Sequence, residues 1–252
     1  DAAAELADQP SGGGLLWLHT RGFGGPWDAP TPVIRELVEE DDPEPPVSVV
    51  PKDGPIDPVA EPDARFVAAC RYAAQVAVLD ACLGAWLDAV DDRLRDAPPR
   101  VVLLGLRGYA LGEHGACGIE SPAPYNEARH VPLLIRDGAA VAPGRRWAKG
   151  LVPLSATPNM LAMLAHDESE PPKPAAYATD AAVDAAACGA LTLRGAGATG
   201  LRTADWCLIA PHTRDEPAEL YVKPDDRWDA NNVASRAADI VDELLPRIRG
   251  VD

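Results

Sequence analysis

Apolar residues in this chain fall into short runs cut by proline and glycine, with one long helical stripe between them. Val101–Leu106 and Val131–Ile135 are short β-branched and leucine runs punctuated by Gly105 and Pro132, which read as buried strands, the first of them parallel. Leu15–His19 reads as a further buried strand. Between Asp63 and Arg95, Phe66, Cys70, Ala73, Val76, Leu83 and Val90 recur at helical spacings and predict a long amphipathic helix. Asp63 is its expected N-cap, and Pro98 and Pro99 stop it. Asp80 lies on the stripe and is expected to be a buried, hydrogen-bonded carboxylate. Seven prolines across Pro43–Pro62 predict an extended surface loop. Pro158 opens a short amphipathic helix within Leu151–Ala165. Beyond a polar boundary at His166–Ala175, Ala190–Arg194 and Thr203–Ala210 read as strands, and Ser235–Arg249 as a closing helix with Ile240, Val241, Leu244 and Leu245 inward.

This order predicts an α/β fold with a small α+β unit at its end. The expected divisions are a flexible segment at 1–14, an α/β domain at 15–166 and a C-terminal subdomain at 176–252. In an open α/β sheet, ligands sit beyond the carboxyl ends of the strands. That draws attention to the glycine-punctuated loop Gly105–Ile119.

That loop carries a resemblance. LGEHG at Leu111–Gly115 and HVPLLIR at His130–Arg136 resemble the sulfatases of the alkaline-phosphatase-like superfamily. The family pattern there is roughly S-D-H-G, three residues, G-E-H-G, three residues, K, then about ten residues to R/H-V-P-L-I. GFGGPWDAP near Pro30 is similar to the family's D-P-H-x-P-Y-x-P-P, and Leu151–Ala165 to its V-D-L-x-P-T-L-L. GLRTADWCLI is similar to R-T-x-x-Y-K-Y-I. ELYVKPDDRWDANNVA at Glu219–Ala234 is similar to E-L-Y-D-L-x-x-D-P-x-E-x-x-N-L-A. The resemblance runs from about residue 15 to 248. It implies an alkaline-phosphatase-like mixed sheet flanked by helices, with a small C-terminal antiparallel sheet and helix.

The resemblance also implies a sulfuric ester hydrolase using calcium or magnesium. Several working positions depart from it. The cation-binding S-D-H-G falls on Gly105, Leu106, Arg107 and Gly108, so leucine and arginine stand where ligands are expected. The family's sulfate-gripping lysine falls on Ile119, its active-site histidine on Gly24, and an aspartate on Ser155. No C-x-P-x-R or S-x-P-x-R is present to supply a formylglycine nucleophile; in the family that motif precedes the segment where this chain starts. The expectation is a sulfatase-like protein with no catalytic residues and no metal, a pseudoenzyme. Its vestigial site, at Arg107, Glu113, His114 and His130, would take a small sulfated or phosphorylated ligand. An arginine fork can grip such an anion without a metal. Two alternatives stand beside it: an active sulfuric or phosphoric ester hydrolase whose nucleophile half lies upstream, and a structural or interaction module. Displaced metal ligands among His19, Glu113, His114, Glu127 and His130 would serve the first alternative, and exposed Trp27, Trp147 and Trp228 the second.

Composition narrows the partners. A net charge of −16 and a pI near 4.6 argue against nucleic acid and anionic membranes, and for a soluble, acidic protein. No apolar run reaches the span expected of a membrane helix. The five cysteines form no C-x-x-C, and Cys70 and Cys82 are separated by about 18 Å of helix, too far to bridge. Unpaired thiols, with no signal-peptide pattern in view, favour a reducing, cytoplasmic setting.

Overall fold

The computed structural model describes residues 15–20, 23–51, 53–57, 59–96, 98–137, 150–165, 183, 185–213 and 215–249. The expected flexible segment, the boundary near His166 and Trp147 lie outside them. The chain divides into two compact units, Asp1–Pro99 with Ala110–Gly118, and Arg100–Tyr109 with Ile119–Asp252.

The first unit is built on helices α1 (Thr31–Arg35) and α2 (Ala64–Arg93). Ala29, Ile34 and Ala74 form its buried cluster, with Val33, Val38 and Val78 against them. Trp27, only 1% exposed, meets the Tyr72 ring edge-on at 5.7 Å, and Phe23 stacks on Tyr72 at 4.5 Å. Trp27 is therefore a core residue and not the exposed interface marker its sequence position suggested. The long helix forms as expected, but its ends and faces differ in detail. Asp63 sits at the N-cap with helical dihedrals, so its carboxylate makes no capping bond. Val76, Ala77 and Asp80 are exposed, so Asp80 is not the buried carboxylate expected. The apolar stripe finds neighbours only near Cys70, Ala74 and Val90. This helix is also the one described element long and apolar enough to cross a membrane by length and composition, with a hydropathy of 1.4. That corrects the expectation that no stretch reaches that range. Strands β1 (Gly54–Pro55), β3 (Ala110–Leu111) and β4 (Ala116–Gly118) complete the unit as a small antiparallel sheet in the order β1-β4-β3.

In the second unit, β2 (Arg100–Leu104) pairs with β5 (Leu133–Asp137), Val102 opposite Ile135 and Leu104 opposite Leu133. The pairing is antiparallel, not parallel as the continuous apolar run suggested. Apolar continuity reports burial, and here it reflects a ribbon with oily side chains on both faces. One face packs Val102, Leu133 and Ile135 against Met160 and Leu164 of α4 (Thr157–Ala165). On the other, Leu103 and Leu134 remain 37% and 59% exposed. Residues 15–20 form no strand, and Leu15, Trp17 and Leu18 are exposed, correcting the first predicted strand. A strand exists only by exchanging backbone hydrogen bonds, and apolar pattern alone supplies no partner.

A four-stranded antiparallel sheet follows: β6 (Ala190–Arg194), β7 (Ala198–Thr203), β8 (Trp206–Pro211) and β9 (Glu219–Val222), in that order. The single strand expected at Thr203–Ala210 is in fact the end of β7, a tight turn and β8. The Thr203 hydroxyl accepts the Trp206 N–H at 3.1 Å and closes that turn. Leu201, Leu208 and Leu220 line one sheet face beneath α5 (Ala238–Arg249), which turns Leu244 and Ile248 inward, with Ile240, Val241 and Leu245 beside them. All five cysteines are free, and burial, with the Asp229 charge nearby, pushes the Cys207 thiol up to about 12.

Candidate functional site

The predicted site residues divide between the units. Arg107 and His130 lie in the second, Glu113 and His114 in the first.

Glu113 and His114 form the tip of the β3–β4 hairpin. Gly112 donates to the Ala116 carbonyl at 3.0 Å, and Gly115 donates to the Gly112 carbonyl at 3.2 Å. Both glycines have positive φ, 99° and 75°, which β-carbon-bearing residues rarely adopt. Glu113 folds back to accept the Leu111 N–H at 2.6 Å. Its carboxylate is used in shaping this turn, and its charge, after burial, helps push the Tyr72 phenol above its ordinary value.

Arg107 and His130 belong to a different construction, centred on the four-residue helix α3 (Asn126–Arg129). The loop leaving β2 is tied down on both sides of His130. Gly105 donates to the Pro132 carbonyl at 2.9 Å, and Gly108 to the Ala128 carbonyl at 3.1 Å. A β-carbon at Gly108 would stand 1.8 Å from the Glu127 carbonyl oxygen, so only glycine permits this approach. Between these anchors, Leu106 and Arg107 are exposed, Leu106 by 56%.

The front end of α3 holds a second segment. The Asn126 N–H donates to the Asp229 carboxylate at 2.7 Å, and the Asn126 side-chain amide donates to the Arg227 carbonyl at 2.7 Å. The same amide nitrogen stands 3.5 Å from Nδ1 of His130. Asp229 is 2% exposed, with φ at 53°, and its carboxylate lies 2.5 Å from the equally buried Lys223 ammonium. Asp226 takes the N–H groups of Ala230 and Asn231 at 2.9 and 2.8 Å, and these bonds hold its carboxyl below the usual range against the opposing effect of burial. The turn after β9 is thus fixed at both ends. Behind it, the phenols of Tyr125 and Tyr221 both donate to Glu219, at 2.9 and 2.8 Å; burial first, and that carboxylate next, raise both phenols.

The outcome is a cationic setting. Desolvation, then the charges of Arg227, Arg202 and Lys223, hold His130 below its ordinary value. A depressed histidine binds fewer protons folded than unfolded. Its contribution to stability is therefore present above the unfolded value near 6.5 and is lost as pH falls from there through the folded one. Arg227→Ala is expected to raise the His130 pKa part of the way back towards its ordinary value, since desolvation, the larger cause, remains. An NMR titration of the imidazole checks this; an unmoved or lowered value would show that Arg227 does not act on the ring.

The donor set does not suit a divalent cation at the positions the resemblance assigns. Such an ion wants oxygen or imidazole ligands; Leu106 offers neither and Arg107 repels it. Among the described residues, no group of three or more His, Cys, Asp or Glu could hold a metal ion.

No protein-family model matches the sequence, and no curated protein does. Solved structures do. The crystal structure of yidJ from Bacteroides fragilis, assigned as a sulfatase, aligns with a TM-score of 0.60 at 14% identity, over 88% of this chain and 50% of that one. The chain has a sulfatase-like fold. Ps i-CgsB aligns with a TM-score of 0.54 at 13% identity, over 89% of this chain and 46% of that one. A Bacteroides thetaiotaomicron structure, titled for the metabolism of multiple glycosaminoglycans, aligns with a TM-score of 0.50 at 14% identity, covering 72% and 44%. The chain spans about half the length of these structures.

Sequence reasoning named Arg107 and His130, named Trp228 only as an interface marker, and gave no role to Asn126 or Arg227. One signal was available. In the ELY motif, Arg227 stands where the family pattern has proline.

Proposed function

We propose that this chain is a sulfatase-like protein that holds a sulfate- or phosphate-bearing ligand at Arg107 and His130 without a metal and without hydrolysing it. The observation that carries this reading is the loop Gly105–Gly108. It is anchored at both ends against the segment bearing His130, and it presents an exposed arginine where the resemblance expects a cation ligand. A guanidinium supplies fixed positive charge and paired N–H donors suited to a tetrahedral oxyanion. With a net charge of −16, the chain as a whole repels anions, so on this reading binding comes from the local charge of Arg107.

Calorimetry with sodium sulfate and sodium phosphate, in EDTA, tests the reading. Wild type is expected to bind, and Arg107→Ala to bind at least about ten-fold more weakly, the worth of one charge-assisted contact. Absent binding, or equal binding by both proteins, would sink it.

A second reading has its own support. Because the chain spans only about half of its structural neighbours, an active ester hydrolase could draw its nucleophile from polypeptide beyond this sequence. Turnover of an aryl sulfate or phosphate dependent on added calcium or magnesium would favour that reading.

A further inference from the structure

We propose that the middle of α2 is the interface of a weak two-fold dimer of this chain, in which the helices of two copies pack antiparallel along Val76, Leu79, Leu83 and Trp86. This stands independently of the anion reading.

Tyr72, Val76, Leu79, Leu83, Trp86 and Val90 follow one another at alternating spacings of four and three residues. That alternation is the repeat of a coiled-coil seam, so all six side chains rise from one face of the helix. The ends of the seam are covered within a single copy. Phe23 stacks on the Tyr72 ring, Trp27 meets its edge, and Val90 is 1% exposed. The middle is open. Val76 is 43% and Leu79 37% exposed, Leu83 and Trp86 are half-buried, and only 17% of the helix's most apolar stretch is buried. A helix fixed at both ends has little left to order when its middle is covered.

The symmetry of the row points to a second copy as its occupant. Leu79 and Leu83 lie two residues either side of Ala81, and Val76 and Trp86 lie five. A two-fold interface needs such a pattern, since residue i must meet residue j and j must meet i. Antiparallel helices related by a two-fold at the level of Ala81 set Leu79 against the partner's Leu83 and Val76 against the partner's Trp86, each contact made twice. Charge points the same way. At −16, copies of this chain repel one another, yet Asp80 is the one charge between Tyr72 and Leu87. A bilayer is a poorer occupant, because Ala74 is buried with Ala29 and Ile34, Val90 is buried too, and Asp80 lies beside the row.

Asp80 and Cys82 flank the seam on opposite sides, one residue either side of Ala81. Each therefore comes near its own counterpart across the axis. The Asp80 pair is like-charged and opposes association. Cys82 is exposed while Cys70, Cys117 and Cys207 are buried, so it is the thiol that reports contact.

Sedimentation equilibrium on the full chain decides it. Stable interfaces bury about 1,200–2,000 Å², and three helical turns from each copy supply less, so a Kd on the order of 10–100 μM is expected. Leu79→Lys should weaken the dimer at least about ten-fold and leave the circular dichroism unchanged, since the position is partly exposed. Asp80→Asn should tighten it about three-fold by removing the like-charged pair, a gain that no folding defect produces. A short bismaleimide should link wild-type dimers and fail on Cys82→Ser. A chain that stays monomeric to about 1 mM overturns the proposal and leaves the row to a different polypeptide. A dimer indifferent to Leu79→Lys, or one that Asp80→Asn weakens or leaves unchanged, overturns it as well. Monomers that bind phosphatidylcholine vesicles, and lose that binding in Leu79→Lys, would assign the row to a bilayer and overturn the dimer.

Discussion

Lys223→Met is expected to cost about 3–5 kcal/mol of unfolding free energy, the range for removing one partner of a buried ion pair. Lys223 and Asp229 are 5% and 2% exposed, and their charges meet at 2.5 Å. Methionine fills most of the lysine stem's volume, so lost packing contributes little. The cost comes from leaving the Asp229 carboxylate in a dry site with the Asn126 N–H at 2.7 Å as compensation. Equilibrium urea unfolding gives the number. Adding Asp229→Asn removes the orphan charge and keeps an oxygen facing Asn126, so the double substitution should cost less than Lys223→Met alone. A single-substitution cost below about 1 kcal/mol, or a double cost equal to the sum of two singles, would show that the pair is not coupled as described.

The same pair supports the proposed site through Asn126. Asp229 fixes Asn126, and Asn126 fixes the Arg227 carbonyl and neighbours His130. Loss of Lys223 should therefore weaken anion binding and stability together. Arg107→Ala should weaken binding alone, because Arg107 is exposed on its loop and its truncation leaves no buried group unpaired.

What was legible in the sequence follows from how local each interaction is. The C-terminal sheet joins strands adjacent in the chain, so alternation and turn residues describe it well, and Ala190–Arg194 is recovered in full. The turn between β7 and β8 escaped notice because Thr203 and Trp206, both good strand formers, flank it. The direction of β2 depends on β5, about thirty residues later, and no periodicity within either strand encodes it. Of the proposed site, Arg107 and His130 were named because each sits at a fixed spacing from a motif. The bond that ties the Arg227 carbonyl to Asn126 spans 101 residues, and residue spacing carries no trace of it. Glu113 and His114 stood out for the same reason as Arg107, but their local geometry is that of a hairpin tip.

Leu220→Ala carries the other large expected effect, about 2–5 kcal/mol of unfolding free energy. Leu220 is fully buried in β9, opposite the equally buried Leu208 of β8. Its N–H donates to the Asn232 side-chain carbonyl at 3.1 Å and its own carbonyl receives the Val233 N–H at 2.8 Å. These backbone bonds hold the residue in place and limit how far the sheet and α5 can close over the cavity. The cost should therefore sit in the upper half of the range, and Leu220→Met should recover most of it. The neighbouring Glu219 receives Tyr125, which precedes α3, so this sheet supports the elements proposed to bind the anion. The platform and the site separate experimentally. Under native conditions, folded Leu220→Ala protein should bind sulfate as wild type does, with only its urea midpoint lowered. A cost under about 1 kcal/mol would place the core elsewhere. Loss of affinity in protein that remains folded would mean that the sheet does more for the site than support it.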